Sequence, residues 1–211
     1  MQTALIMLAA YLLGSVSFAV VVSKVMGLPD PRSYGSKNPG ATNVLRSGSK
    51  SAAVLTLIAD AGKGALAVGL AVAYTGENPV IGVDPALAGA MAFLGHLYPV
   101  YHGFRGGKGV ATAAGVLFAF NLWLGLGTLA TFAILVAFFR MISLASVIAA
   151  LFAVFWAWFL FGLTPLTPVV GAMALMLVWR HRANIDRLLH GTESRLGQTA
   201  REGLGKGAPP S

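Results

Sequence analysis

Long apolar runs recur from Leu5 to Trp179, and they leave this chain few ways to fold. Of its 211 residues, 56% are hydrophobic and only 10% are charged, whereas a soluble domain carries about 25% charged residues. In lipid, every backbone polar group must be satisfied within its own helix or in a closed barrel. Because no alternating strand pattern indicates a barrel, the sequence predicts an all-α, polytopic membrane helical bundle.

The apolar runs predict about seven transmembrane helices, since a helix needs about 20 apolar residues to cross a bilayer. The fourth and fifth runs are short and poorly separated around Asn121, so a count of five stays open. The predicted spans are 4–23, 52–74, 80–101, 109–120, 122–139, 143–161 and 165–179. We expect one membrane domain over 1–198 and a flexible, Gly- and Pro-rich cytoplasmic tail over 199–211.

The net charge of +8 has a clear pattern along the chain. Basic residues occupy the first, third and fifth connections and the stretch after the last run, whereas the even connections carry only Glu77. By the positive-inside rule, this alternation predicts an N-terminus outside, a cytoplasmic C-terminus and an odd number of spans. The same placement argues against nucleic acid as a partner, because the cations face lipid headgroups or phosphorylated substrates.

The chain has no cysteine, which excludes disulfides, thiol nucleophiles and thiolate metal sites. No cluster of aspartates or histidines indicates a metal either. We therefore expect neither a metal nor another cofactor.

The first connection, residues 30–46, combines glycines, hydroxyls and amides with three cations. These groups can enclose a phosphate through backbone N–H groups and charge-assisted side-chain bonds. The same composition also fits an ordinary solvated loop, and both interpretations stay open.

The third connection contains a Gly-Gly-Lys-Gly turn at 106–109 that is predicted to enter a helix. Such a turn presents N–H donors and one ammonium to an anion. It is not a nucleotide-binding P-loop, because the glycine spacing is wrong and no Ser or Thr follows Lys108. His96, inside an apolar run, is expected to be a packing residue rather than a catalyst.

Two further pairs of polar residues are spaced i, i+3 and so share one helix face. Asp60 and Lys63 lie in the second span, where they form either a functional site or a structural ion pair. His181 and Asn184 follow the last span, in a stretch predicted to be a short interfacial helix. From the residues alone, we favour the interpretation that this stretch is a basic cap that anchors the last helix at the lipid headgroups.

These stretches together resemble the PlsY-type glycerol-3-phosphate acyltransferases. The resemblance lies in Gly-Ser at 14–15, Gly-Ser-x-Asn-x-Gly-Ala-Thr-Asn at 35–43, Asp-x-x-Lys-Gly at 60–64, Gly-His-x-x-Pro-Val at 95–100, Gly-Gly-Lys-Gly-Val-Ala-Thr at 106–112 and His-x-x-Asn-Ile-x-Arg-Leu-Leu-x-Gly-Thr-Glu at 181–193. It covers nearly all of the chain up to Gly197.

The resemblance implies transfer of a fatty acyl group from acyl phosphate to the 1-hydroxyl of glycerol 3-phosphate, in a bacterial inner membrane with the active site facing the cytoplasm. The implied partners are both substrates, membrane lipid and the PlsX-type enzyme that produces acyl phosphate. The implied catalytic residues are Ser36, Arg46, Lys108, His181 and Asn184. The implied substrate-binding residues are Gly35, Asn38, Gly40, Thr42, Asn43, Gly106, Gly107, Gly109, Ser146 and Glu193, of which Glu193 chiefly supports the architecture.

An acyl phosphate is already activated, so the chemistry requires positioning and electrostatic stabilisation rather than a nucleophile. Either His181 or the departing phosphate could accept the hydroxyl proton, and we favour the phosphate. Ser146 is preferred to Ser143 as a substrate contact.

Two other functions are compatible with parts of the sequence. Residues 181–186 spell His-x-x-x-x-Asp, the pair used by thioester-dependent glycerolipid acyltransferases. A small transporter of a phosphorylated solute could instead use Asp60 and Lys63 as a coupling site.

Overall fold

The structure is a computed structural model that describes residues 1–197; the tail predicted over 199–211 lies outside this range. Within the described residues the chain is helical and contains no β-strand, which confirms the all-α prediction. The helices are α1 (Gln2–Gly14), α2 (Phe18–Val25), α3 (Ala41–Leu45), α4 (Lys50–Thr75), α5 (Val83–Leu97), α6 (Val110–Phe120), α7 (Leu122–Phe139), α8 (Ile142–Phe161), α9 (Leu166–Arg180) and α10 (Arg182–Leu189).

Three helices, α4, α7 and α8, are long and apolar enough to cross a membrane. The helices α1 and α2 add a fourth span if this pair, which is bent by 40°, counts as one. The apolar helix α6 has only 11 residues, so it rises about 17 Å, roughly half of a hydrocarbon core. Length and composition thus support a multi-pass membrane bundle, and the count of seven spans stays a prediction.

The predicted first span is not one continuous helix, because it breaks between Gly14 and Phe18. The Ser15 hydroxyl donates to the Tyr11 carbonyl at 2.8 Å. At the break, the Val16 carbonyl oxygen accepts a hydrogen bond from the Lys63 ammonium of α4 at 2.6 Å. The break is sustainable at membrane depth because a buried side chain satisfies the released backbone group.

Asn121 separates α6 from α7, which settles the boundary that the apolar pattern left blurred. Its side-chain oxygen accepts from the N–H groups of Trp123 at 2.9 Å and Leu124 at 3.4 Å, so it caps α7. Phe118 lies directly against Gly125, which requires the chain to reverse direction here. These are two helices and not one long span.

Glycines bring α4 and α6 into backbone contact. A Cβ at Gly64 would collide with the Thr112 carbonyl, and a Cβ at Gly115 would collide with the Ala61 carbonyl. Small residues allow such close approach between membrane helices. Matching glycine contacts join α1 to α5: Gly14 against Ala92 and Gly95 against Tyr11.

The largest buried cluster is built mainly from α5, α6, α8 and α9, with one residue each from α4 and α7. Its fully buried side chains include Phe93, Leu97, Val116, Phe120 and Leu166. This packing brings the last turn of α5, the first turn of α6 and the last turn of α9 to one end of the bundle, where the polar motifs lie.

Candidate functional site

The first connection folds around the amide of Asn43, the central residue of the five-residue helix α3. The side-chain oxygen of Asn43 accepts from the Ser36 N–H at 3.0 Å. Its amide nitrogen donates to the carbonyls of Pro31 at 2.6 Å and Tyr34 at 3.2 Å. Because both N–H donors are used inside the loop, Asn43 shapes this connection.

Gly35 lets Arg46 and Asn43 pack tightly against the loop. Its φ of +57° lies in the left-handed region, and a Cβ there would collide with the Asn43 oxygen and crowd the Arg46 side chain. The remaining predicted residues of this connection are Ser36, Thr42 and Arg46, with exposed side chains, the half-buried Asn38, and Gly40, which precedes α3. The exposed hydroxyls and guanidinium are available to a ligand.

The Gly-Gly-Lys-Gly turn is packed too closely for any side chain except that of Lys108. A Cβ at Gly106 would collide with the His96 carbonyl, one at Gly107 with the His96 ring, and one at Gly109 with Phe93. The Gly107 N–H donates to the His96 carbonyl at 3.1 Å. That N–H is therefore not free for an anion, and Gly107 serves the site by having no side chain.

Arg180, the last residue of α9, also holds this turn, although the sequence reasoning did not single it out. Its Nη2 donates to the carbonyls of Gly106 at 2.8 Å and Gly107 at 3.0 Å, and its Nε donates to Gly107 at 3.1 Å. Its guanidinium lies 5.6 Å from the centre of the Tyr98 ring. The sequence feature that could have identified Arg180 is its position directly before His181, at the end of the last apolar run.

Lys108 is joined to the C-terminal segment through a chain of hydrogen bonds. Its ammonium donates to the side-chain oxygen of Asn184, and the Asn184 amide nitrogen donates to Glu193 at 2.6 Å. The other Glu193 oxygen accepts from the Arg187 Nε at 2.7 Å. The Glu193 side chain is 6% exposed, which fits the supporting role that the resemblance implied.

Burial lowers the pKa of Lys108 to about 8. The carboxylate of Glu193 opposes this shift, whereas the positive charges of Arg187, Arg180 and Arg46 add to it. Arg46 belongs to the first connection, whereas Arg180, Arg187 and Glu193 belong to the C-terminal segment, residues 180–193. These two parts of the chain therefore meet the glycine turn around Lys108. A site with this excess of positive charge is suited to phosphate.

His181 is 2% exposed, and it lies close enough to Lys108 and Glu193 for the charges of both to act on its pKa. Its Nδ1 lies 2.8 Å from the Leu177 carbonyl oxygen, so Nδ1 carries the proton and Nε2 is left as an acceptor. Burial lowers the pKa of His181 to about 4, although the Leu177 carbonyl favours the charged form. The imidazole is therefore neutral at pH 7.

The His-x-x-x-x-Asp alternative finds no support in the geometry. His181 is buried, whereas the Asp186 side chain is 72% exposed and lies 3.5 Å from His190. The hydrogen bond of the His181 Nδ1 goes to the Leu177 carbonyl instead. The two residues do not form the catalytic pair of that acyltransferase class.

An apolar cavity of about 190 Å³ lies between α6, α7, α8 and α9. Its walls include Val110 and Leu177, which lie close in sequence to Lys108 and His181. The cavity therefore begins beside the cationic cluster, which consists of Lys108 and the three arginines that act on it, Arg46, Arg180 and Arg187. Ser146 also lines it, with its hydroxyl donating to the Ile142 carbonyl at 2.8 Å. Ser143 instead lies near Glu193. Burial acts to raise the pKa of that carboxyl, but the polar groups around it, among them those of Asn184 and Arg187, hold it below its ordinary value.

Asp60 and Lys63 form a buried ion pair with a separation of 2.8 Å. The Nδ1 of His96 lies 3.5 Å from the same Asp60 oxygen and 3.2 Å from the Thr112 hydroxyl. His96 is thus buried with polar partners on two helices, and its expected role as a packing residue rather than a catalyst stays a prediction. Since Lys63 also binds the Val16 carbonyl, the pair ties α4 to the break in the first span.

Residues 4–191 match the family model described as glycerol-3-phosphate acyltransferase. A glycerol-3-phosphate acyltransferase of Ralstonia pickettii (strain 12J) is 58% identical over 199 residues, which cover 93% of this chain and 95% of the relative. One of Burkholderia pseudomallei (strain K96243) is 60% identical over 205 residues, which cover 96% and 100%.

The fold matches two crystal structures of PlsY, an integral membrane glycerol 3-phosphate acyltransferase. The glycerol 3-phosphate form superposes with a TM-score of 0.87 at 35% identity, covering 98% of this chain and 100% of that chain. The lysophosphatidic acid form gives a TM-score of 0.85 at 36% identity, with 97% and 99% covered. The resemblance seen in the motifs is confirmed over nearly the whole chain.

Proposed function

We propose, because this chain belongs to the glycerol-3-phosphate acyltransferase family, that it takes its acyl group from an acyl phosphate and delivers it to the 1-hydroxyl of glycerol 3-phosphate. The products are a lysophosphatidic acid and inorganic phosphate, in the first step of phospholipid synthesis. Of the two related structures, one is a glycerol 3-phosphate form and the other a lysophosphatidic acid form, which fits this substrate and this product.

The observation that carries the proposal is the junction of the cationic cluster with the apolar cavity. Lys108 lies two residues before α6, a helix that lines the cavity, and Leu177, whose carbonyl holds His181, lies in the cavity wall. An acyl phosphate has the same two parts, a charged head and an apolar chain. Placed across the junction, it puts its phosphate beside Lys108 and Arg46 and its chain in the cavity.

The reaction then needs no enzyme nucleophile, because phosphate is a good leaving group from a mixed anhydride. The glycerol hydroxyl oxygen attacks the acyl carbon, and the bond from that carbon to the phosphate oxygen breaks. Lys108, Arg46 and free backbone N–H groups stabilise the charge on the oxyanion and on the departing phosphate. Holding two anions in contact is the principal work of such a site.

The proton of the attacking hydroxyl passes to the departing phosphate. His181 is a poor candidate for a general base, because a pKa of about 4 makes it a weak base at pH 7. Its unprotonated Nε2 is instead suited to accept a hydrogen bond from a glycerol hydroxyl and so orient it. Asn184, which is fixed by Glu193, holds Lys108 in the same site.

The remaining predicted residues have supporting parts in this proposal. Ser36, Asn38 and Thr42 offer polar groups to phosphate from the first connection, while Gly35, Gly40 and Asn43 shape it. Gly106, Gly107 and Gly109 shape the turn that carries Lys108. Ser146 lies at the wall of the acyl cavity, on the helix that also carries Ser143.

The setting of the reaction follows from the loop charges. We place the site on the cytoplasmic face of a bacterial inner membrane, with seven spans and the N-terminus outside. The lipid product then leaves sideways into the inner leaflet. A PlsX-type enzyme supplies the acyl phosphate as a partner in the cytoplasm.

The test is an assay of the purified protein with palmitoyl phosphate and glycerol 3-phosphate, with a chelator present throughout. We expect lysophosphatidic acid to form, no turnover with palmitoyl-CoA, and at least a hundredfold loss in Lys108→Met, on the order expected for a buried charged contact. Arg105→Met is the matched control, because Arg105 is an exposed cation of the same connection. Turnover with the thioester, or flux of a phosphorylated solute without product, would refute the proposal.

A further inference from the structure

Arg180 binds the glycine turn through backbone oxygens alone. All three of its hydrogen bonds in the described part of the chain go to the carbonyls of Gly106 and Gly107. The Gly106–Gly107 peptide is also held from the other side, because the Gly107 N–H donates to the His96 carbonyl at 3.1 Å. Both polar groups of this peptide are therefore fixed.

The next peptide, which joins Gly107 to Lys108, is fixed by Arg180 on one side only. In a trans peptide the C=O and N–H groups point in opposite directions. Because the Gly107 carbonyl points at Arg180, the Lys108 N–H points away from it. Among the described residues no hydrogen bond occupies that N–H.

We propose that Arg180 is a positioning residue that orients the Gly107–Lys108 peptide, so that the backbone N–H and the ammonium of Lys108 serve one phosphate together. This inference deepens the proposed function and rests on it. Arg180 itself faces carbonyl oxygens and does not take part as a phosphate ligand. It acts through the backbone it holds.

The contact calls for arginine and not merely for a positive charge. Its guanidinium presents N–H donors in a rigid planar fork, and here two of its nitrogens hold two successive carbonyls while its plane lies over the Tyr98 ring. A lysine ammonium is a point charge on a flexible stem and cannot reproduce the fork. Replacing Arg180 by lysine therefore removes the positioning and keeps the charge.

Arg180 also affects the pKa of Lys108 through its charge, and this effect provides a second measurable consequence of replacing it. Its positive charge lowers the pKa of Lys108, as do those of Arg187 and Arg46, while Glu193 raises it. His181, the neutral imidazole near the same ammonium, does not titrate in the range of interest. Arg180→Gln removes one positive charge, so the pKa of Lys108 must rise.

The experiment compares Arg180→Lys and Arg180→Gln with the matched variants Arg182→Lys and Arg182→Gln. Arg182 is an exposed arginine two residues further along the chain, and it stacks on Trp179 at 5.1 Å without contacting the turn. Each purified variant is measured for acyl transfer across pH, for binding of glycerol 3-phosphate and inorganic phosphate by calorimetry, and for its melting temperature.

We expect both Arg180 variants to lose about ten- to a hundredfold in kcat/KM and to bind phosphate more weakly, with both Arg182 variants near wild type. The alkaline limb of the pH profile shifts to higher pH in Arg180→Gln and stays in place in Arg180→Lys. The shift in Arg180→Gln reports the lost charge. The loss of kcat/KM in Arg180→Lys, with the alkaline limb unmoved and the melting temperature at the wild-type value, reports the lost positioning.

Wild-type activity in Arg180→Lys would overturn the inference, because charge alone would then suffice. If wild-type protein transfers no acyl group but binds phosphate, and Arg180→Lys loses that binding, the proposed function fails and the inference stands. If wild-type protein binds neither phosphate nor glycerol 3-phosphate, both fail. The melting temperatures identify any variant whose loss comes from unfolding.

Discussion

The Lys108 ammonium donates to the side-chain oxygen of Asn184, while the nitrogen of the same amide donates to Glu193 at 2.6 Å. Because Glu193 accepts that hydrogen bond, the amide cannot flip, and its oxygen stays directed at the ammonium. One amide therefore transmits the position of the C-terminal segment to a residue of the third connection.

Removing that amide should release Lys108. Asn184→Ala deletes a hydrogen bond to a charged group, and we expect kcat/KM to fall about ten- to a hundredfold. Steady-state kinetics with both substrates measures the effect. Asp186→Ala is the control, since Asp186 lies on the same helix with an exposed side chain, and equal losses in the two variants would contradict the account.

The activity should fall as the pH rises through the pKa of Lys108. That pKa is about 8, below the ordinary value, so the charged form predominates at pH 7 and is lost at higher pH. Glu193→Gln removes a negative charge that favours the ammonium, so its alkaline limb should lie at lower pH than that of the wild type. A limb that stays in place, or that moves upward, would show that Lys108 is not the titrating group.

His181→Ala should raise the KM for glycerol 3-phosphate about tenfold, the cost of one hydrogen bond, while leaving turnover at saturating substrate. The physical reason is that an imidazole with a pKa of about 4 is a weak base, so the proposed function assigns it the orientation of the hydroxyl and not the removal of its proton. No acidic limb near pH 6.5 is expected in the wild type. A variant without detectable rate at saturation would instead establish His181 as the general base.

The close packing of α4 against α6 should make Gly64 sensitive to substitution. Gly64→Ala places a methyl group against the Thr112 carbonyl, which should cost about 1–3 kcal/mol of unfolding free energy. Gly62→Ala is the control on the same helix, because nothing lies within 4 Å of a Cβ there. Thermal unfolding in detergent should show a lower melting temperature for the Gly64 variant only.

Lys63→Met should destabilise the bundle strongly, because it leaves the Asp60 carboxylate buried without its partner and frees the Val16 carbonyl. Breaking a buried pair from one side costs about 3–5 kcal/mol. The double variant Asp60→Leu with Lys63→Met should recover part of that loss. A double variant less stable than Lys63→Met alone would show that the charges are not compensating each other.

The sequence identified the helical class and the main polar motifs for identifiable physical reasons. Hydropathy reports on lipid burial, so α4, α7 and α8 fell close to their predicted bounds. The spacing of His181 and Asn184 correctly predicted a helix after the last span, and the glycine turn leads into α6 as expected. The resemblance was confirmed because its motifs extend along almost the entire chain.

Other features depend on contacts that no local pattern encodes. The break after Gly14 exists because Lys63, 47 residues away, satisfies the Val16 carbonyl. Arg180 was missed because its partners are backbone oxygens 73 and 74 positions earlier. The consumption of the Gly107 N–H by His96 could not be seen either, since a glycine-rich sequence does not reveal which N–H groups remain free.

The central claim is that three distant parts of the chain form one phosphate site on one membrane face, and labelling of introduced cysteines in intact and opened vesicles tests it most directly. The chain has no native cysteine, so single replacements of the exposed Lys37, Arg105 and Asp186 report without background. A replacement of Glu77 probes the face that the loop charges predict to be the opposite one. We predict that the first three react with an impermeant reagent from one side and that position 77 reacts from the other. Reaction of any of the three from the side of position 77 would contradict the account.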